Sequence, residues 1–284
     1  MLLAAIARET KNIKLTSTLS VISTVDPVRL YEDFATIDLL SGGRTEIIVG
    51  RGAFLDSFSL FGANVNDSVD LFEEKIALFM KLQDEEVVNW HGEFRTSLKE
   101  AQIAPRPIQD KLPLWIGVGG TPTSAVRAGR LGANMALGLL LGKAERVQHL
   151  TELYWKSARE AGHDLSKLQV AVTGHAYLAE DGTQAIREFL PHYIQYNSYF
   201  MKQNGQYFRA TLESMMPRRT ANEVLAVGSP EELAEKILYQ HELFGNTRFL
   251  GQFDIGSQPL SRVEKGIDLL ANKVAPIVNR ALSK

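Results

Sequence analysis

Short β-rich runs alternate with helical patterns along nearly the whole chain, and this alternation restricts the fold more than any other feature. Residues 13–22, "IKLTSTLSVI", and 46–50, "EIIVG", are β-rich, and between them an Asp26-Pro27 start opens a helical pattern to Leu40. The pattern continues as a long helix over 68–88, a buried strand over 113–118, a helix over 122–131, a strand over 133–138, a helix over 143–161 and a strand over 169–178. A helical, aromatic-rich stretch follows at 182–208, then a helix opened by Ser229-Pro230, a strand over 247–254 and a terminal helix from about 260. Strict alternation predicts a parallel sheet, open or closed, with right-handed crossovers. With no repeats or low-complexity linkers, the chain reads as a single domain over 1–284. Six strands can be named where a closed (β/α)8 barrel needs eight, and the helical "LLAAIARET" at 2–10 has no strand before it. Either a strand is miscounted or the chain begins partway through a fold.

Composition removes several classes of function. A formal charge of -2 and the lack of any long Lys/Arg run argue against nucleic-acid or anionic-membrane binding. There are no cysteines, so thiolate nucleophiles and Cys-ligated zinc are excluded, and a cytoplasmic location is expected. The longest apolar run, "MALGLLLG" at 135–142, is too short for a membrane span, and "MLLAAI" lacks the basic flank of a signal peptide. The six histidines have no metal-ligand spacing, so no metal is expected. No G-x-S-x-G elbow supports a hydrolase.

Two glycine-bracketed strand ends carry the chemistry that can be read. Strand 46–50 runs into Gly50, Arg51 and Gly52, and strand 113–118 runs into Gly119, Gly120 and Thr121, both at the carboxyl ends of strands, where parallel-sheet proteins bind ligands. The helix after Gly120 begins with Thr121, Pro122, Thr123 and Ser124 and has no carboxylate in its first turn. A guanidinium together with a helix end bearing free N–H groups and hydroxyls is chemically sufficient for a phosphate. The bland alternatives are a tight turn at Gly119-Gly120 and a surface ion pair at Arg51. "SPEELAEKI" at 229–237 is an internal control: it has the same cap and proline, but Glu231 and Glu232 fill its positive end. His175, in "VAVTGHAYLA", faces either a ligand or the core. Tyr193, Tyr196, Tyr199 and Phe200 recur at helical spacing and are expected mainly to pack a helix.

Three blocks, "DPVRLYEDFATIDLLSGGRTEIIVGRG" at 26–52, "PLWIGVGGTPTSAVRAGRLG" at 113–132, and "GSPEELAEKI" with "FDIGSQPLSRVEKGIDLLANKVAPIV" at 228–278, resemble the bacterial-luciferase-like flavin-dependent monooxygenases. The resemblance implies a TIM (β/α)8-type barrel, N-terminally incomplete by about two βα units. It implies FMN with its phosphate between Arg51 and the loop of Gly119, Gly120, Thr121 and Ser124, and a ring over Thr18 and Leu19; Leu19 departs from the small residue usual there. The implied reaction uses reduced FMN, delivered by a separate NAD(P)H:flavin reductase, and O₂ to oxygenate a small organic substrate. F420 in place of FMN, or a non-catalytic flavin-binding protein or inactive fragment, are the alternatives. The absent segment holds a catalytic histidine in several members, which leaves His175 as the catalytic residue nominated by resemblance. Absent strands would leave unpaired edges, so a homo-oligomer, as a dimer, or coverage by the N-terminal helix is expected.

Overall fold

The computed structural model describes residues 1–203 and 205–283; Asn204, inside the aromatic-rich stretch, lies outside the described residues. The chain resolves into two compact units, Met1–Gly117 and Val118–Lys284.

The first unit contains α1 (Leu2–Glu9), β1 (Ser20–Val21), α2 (Pro27–Ser41), β2 (Ile47–Gly50), α3 (Asp56–Leu60), α4 (Ser68–Asp84), β3 (Val87–Trp90), β4 (Leu98–Gln102) and most of β5 (Leu114–Val118). Asp26 caps α2 by accepting from the N–H groups of Val28 and Arg29, and Pro27 sits at the first helical position, where its missing N–H costs nothing. Gly42, at φ +70°, ends the helix in the left-handed conformation that glycine adopts without penalty. Strands β1, β2 and β5 pair in parallel, with Val49 opposite both Ser20 and Ile116. All four residues of β2 are buried, consistent with a parallel strand covered on both faces. Helix α1 packs through Ala7 against Leu15 and Ile37. The Arg44 guanidinium holds this corner by donating to the carbonyls of Ala7, Thr10, Ile13 and Ser41. Buried Asp38 accepts from the backbone N–H groups of Thr45, Ile108 and Gln109 and from the Gln109 side chain, so its carboxylate is fully occupied in fixing two loops.

The second unit contains α5 (Pro122–Arg130), β6 (Asn134–Gly138), α6 (Gln148–Glu160), β7 (Val170–Leu178), α7 (Gly182–Lys202), α8 (Leu212–Met215), β8 (Ala226–Gly228), α9 (Pro230–Phe244), β9 (Arg248–Gln252), α10 (Leu260–Leu269), a π-helical turn (Leu270–Val274) and α11 (Ala275–Leu282). The nine residues of β7 organise it: residues 170–173 pair with β6, 171–175 with β9 and 176–178 with β8, all in parallel. Side chains alternate across β7. Tyr177 joins the α7 cluster of Ile186, Phe189 and Tyr193, while Ala176 and Leu178 join Leu233, Ala234 and Leu269 of α9 and α10. Pro276 has no N–H to donate, and the chain takes up π spacing just before it.

The mostly parallel α/β architecture agrees with the sequence reading, and three details correct it. Seven strands form parallel pairs among the described residues, against six expected; the additional one is β8, only three residues long. The helix expected over 68–88 ends at Asp84, and the stretch before the 113–118 strand, where no element was expected, contains an antiparallel hairpin, β3 with β4, whose far end is held by Glu74 accepting from the N–H groups of Glu93 and Phe94. The run 13–22 is not one strand: Leu15 bridges to Thr45, the Thr18-Leu19 peptide is cis, and only Ser20–Val21 forms a ladder.

Candidate functional site

The carboxyl ends of the strands in the first unit form a small platform. Leu19 lies directly over Gly50 and Gly117: a Cβ added to Gly50 would meet Leu19 Cδ2 at 2.6 Å, and one added to Gly117 would meet it at 2.7 Å. Leu19 is nevertheless 39% exposed, so its outer side is open to a ligand. Thr18 beside it is exposed. Arg51 follows Gly50 and is half-buried, and among the described residues its guanidinium has neither a hydrogen bond nor a carboxylate partner. The surface ion pair considered for Arg51 is therefore not formed. A half-buried guanidinium of this kind suits an anionic ligand.

In the second unit, β5 delivers Gly119 and Gly120 to the start of α5. A Cβ at either glycine would meet nothing within 4 Å, and Gly120 has φ +118°, a conformation L side chains rarely adopt. Thr121 is the N-cap residue but makes no side-chain capping bond, and the first turn contains no acidic residue. The Thr121 and Ser124 hydroxyls bond each other at 2.8 Å, and the Ser124 N–H donates to the Thr121 carbonyl at 3.1 Å. The N–H groups of Thr121 and Thr123 have no acceptor among the described residues. The helix end thus keeps two unsatisfied donors and its positive partial charge, on an exposed surface cleared by two glycines.

The imidazole of His175 is buried, at 3% exposure, against α7, with Tyr196 at 4.7 Å and Tyr193 at 6.1 Å between ring centroids. Register puts it opposite Gln252 of β9, and Nδ1 donates to Gln252 Oε1 at 3.1 Å. Burial lowers its pKa, opposed by the bond to Gln252. The ring is thereby held neutral with its lone pair on Nε2. Of the helical-spaced aromatics, Tyr193 is core, stacked on Phe189 at 5.2 Å, whereas Tyr199 is 55% exposed.

Sequence reasoning passed over Gly117 and Gly138. The ideal Cβ of Gly138 lies 3.6 Å from the Val118 carbonyl and 3.7 Å from Gly119 Cα, so β6 brings another small residue to the same loop. The available signal was a glycine close to the carboxyl end of each apolar run, "WIGVGG" and "MALG".

The family model for luciferase-like monooxygenases matches residues 1–247, through both units. The chain belongs to this family. A luciferase-like relative, the alkanal monooxygenase alpha chain of Photobacterium leiognathi, is 26% identical over 293 residues, 96% of this chain and 82% of that one. The crystal structure of monooxygenase RslO1 from Streptomyces bottropensis superposes with a TM-score of 0.81 at 25% identity, covering 96% of this chain and 81% of its own. Two more distant structures share the fold. One is the FMN-bound oxygenating constituent of 3,6-diketocamphane monooxygenase from Pseudomonas putida, with TM-score 0.73, 21% identity and coverage of 98% and 83%. The other is an F420-dependent secondary alcohol dehydrogenase, with TM-score 0.74, 20% identity and coverage of 96% and 82%. The fold is accordingly the TIM-type barrel fold of luciferase-like oxidoreductases. No helix among the described residues is long and apolar enough to cross a membrane.

Proposed function

We propose that this chain is a flavin-dependent monooxygenase that receives reduced FMN from a separate NAD(P)H-dependent reductase and uses O₂ to oxygenate a small organic substrate in the cytoplasm. The observation that carries the reading is the first turn of α5, which has no carboxylate or side-chain cap, has unsatisfied N–H groups, and is approached over Gly119 and Gly120. A phosphate monoester supplies the charge such a turn lacks. In this reading Thr121, Thr123 and Ser124 hold the phosphate, and Arg51 supplies a cation. Thr18 and Leu19 support the ring from the platform over Gly50 and Gly117. When bound, the flavin supplies the electrons and the site of O₂ activation. His175, oriented by Gln252, holds the proton-accepting position at Nε2. Family membership across both units supports treating 1–284 as one functional domain, and the exposed Leu60 and Phe61, at 76% and 64%, support self-association.

The test is an FMN titration followed by reductase-coupled O₂ consumption with candidate substrates. Saturable FMN binding and substrate-dependent oxygen uptake are expected. FMN binding without turnover would make this a flavin carrier. The luciferase-like fold also occurs in an F420-dependent alcohol dehydrogenase, so tight binding of F420 with O₂-independent hydride transfer would replace FMN in the assignment.

A further inference from the structure

Ser257, in the loop that carries the chain from β9 into α10, has φ +61°. Apart from glycines, only Ser257 and Glu100 among the described residues take a positive φ, a conformation that costs a side chain free energy and persists where the surroundings hold it. The holding bonds are in the loop itself. The Ile255 N–H donates to Gln258 Oε1 at 2.6 Å, Gln258 Nε2 donates to the Phe253 carbonyl at 3.0 Å, and the Gly256 N–H donates to Asp254 Oδ1 at 2.8 Å. The serine is exposed, beyond the carboxyl end of a parallel strand and just ahead of a helix. A serine on a strained strand-to-helix turn is how several acyl-transfer enzymes lift a nucleophile clear of a sheet. "DIGSQP" lacks the flanking glycines of the usual motif, so the backbone shows here what the sequence does not.

A base stands within reach. Ser257 Oγ lies 2.9 Å from Nδ1 of half-buried His192 on α7, and 2.8 Å from Oε1 of Gln195, one turn further along that helix. A hydroxyl donates one hydrogen at a time, so His192 and Gln195 compete for it. His192 Nε2 has no partner among the described residues, so no second bond fixes the ring's tautomer, and Nδ1 is available as an acceptor. The N–H groups of Ser257 and Gln258 also have no acceptor among the described residues. The nucleophile and the residue after it are positions from which acyl-transfer sites draw donors for a developing oxyanion.

We propose that Ser257 and His192 form a second reactive centre, which hydrolyses small activated esters by acyl transfer. Ser257 Oγ bonds to the ester carbonyl carbon as its proton passes to His192 Nδ1; the ester C–O bond then breaks, and the alcohol or phenol leaves with that proton. Water, giving a proton to the same imidazole, cleaves the acyl–Oγ bond and releases the carboxylic acid, and return of the proton to Oγ restores the serine. No electrons are transferred, so the centre needs no flavin and stands independently of the monooxygenase reading. The flavin-free full chain is treated with p-nitrophenyl acetate and, separately, with diisopropyl fluorophosphate, and adducts are located by peptide mass spectrometry. A burst of p-nitrophenol and an acetyl or diisopropylphosphoryl group on Ser257 are expected. His192→Gln should slow this labelling about a hundredfold or more, and Ser257→Ala should abolish the burst. Gln195→Leu, which removes the competing acceptor, should label at least as fast as the parent. No adduct on Ser257 of the parent protein, labelling unchanged by His192→Gln, a burst that survives Ser257→Ala, or slower labelling of Gln195→Leu overturns the proposal. Labelling of the parent protein decides even if a variant fails to fold.

Discussion

Helices α5 and α9 start alike and finish their starts differently. Each has a hydroxyl residue at the N-cap and proline next, Thr121-Pro122 and Ser229-Pro230. In α9 the chain closes its own positive end: the Glu232 N–H donates to Ser229 Oγ, and Glu232 Oε2 accepts from the Ser229 N–H at 2.9 Å. Arg219 then pairs with Glu232 and also reaches Thr183. In α5 the hydroxyls of Thr121 and Ser124 satisfy only each other. The hydroxyl-proline pair therefore fixes where a helix begins. The residues two and three positions later decide whether its N–H groups serve the fold or remain for a ligand.

Exchanging the two designs gives the largest expected effect. Ser124→Glu places a carboxylate in the first turn of α5 and should weaken FMN binding about a hundredfold or more in a fluorescence titration, through lost charge-assisted hydrogen bonds and added repulsion. Affinity equal to the parent would show that α5 does not hold the phosphate. Arg51→Ala should weaken FMN by about 1.5–3 kcal/mol, the range of a hydrogen bond to a charged group, with little change in urea midpoint because Arg51 has no partner among the described residues to lose. Glu232→Ala acts on the other helix: loss of the capping box and of the Arg219 pair should cost about 1–2 kcal/mol in urea unfolding while leaving FMN affinity unchanged. Thr121→Asp should produce the smallest change, stabilising the flavin-free protein by about 0.5–1 kcal/mol through a better cap while weakening FMN. A separate check concerns His175: His175→Ala should keep FMN binding and lose about 10²-fold or more in rate, and an unchanged rate would leave the ring a core residue.

The same contrast explains what could be read in advance. Capping signals are local chemistry, so Asp26-Pro27 and Ser229-Pro230 located their helices from sequence. Strands β2, β5, β6 and β7 were visible as bounded apolar runs. The three-residue β8 was not, because its pairing with the end of β7 is long-range and leaves no periodicity of its own. The hairpin β3–β4 presents mixed polar and apolar residues and depends on Glu74 of α4, nineteen residues before Glu93. The free state of Arg51 depends on which carboxylates the fold brings near, and composition does not give that. The direction of the His175 ring was hidden for another reason: β7 is buried on both faces, so "VAVTGHAYLA" does not show which side meets α7.

The stack of Leu19 on Gly50 and Gly117 also orders the mutational steps open to this chain. While leucine occupies position 19, a methyl group at position 50 or 117 would fall within 3 Å of it, so Gly50→Ala or Gly117→Ala taken first meets a collision. Once Leu19 is shortened to alanine, either glycine can gain a side chain at lower cost. Either glycine-to-alanine substitution makes the Leu19 side chain turn away, so the three positions are coupled, and the cost of Gly117→Ala should be smaller in the Leu19→Ala background than in the parent.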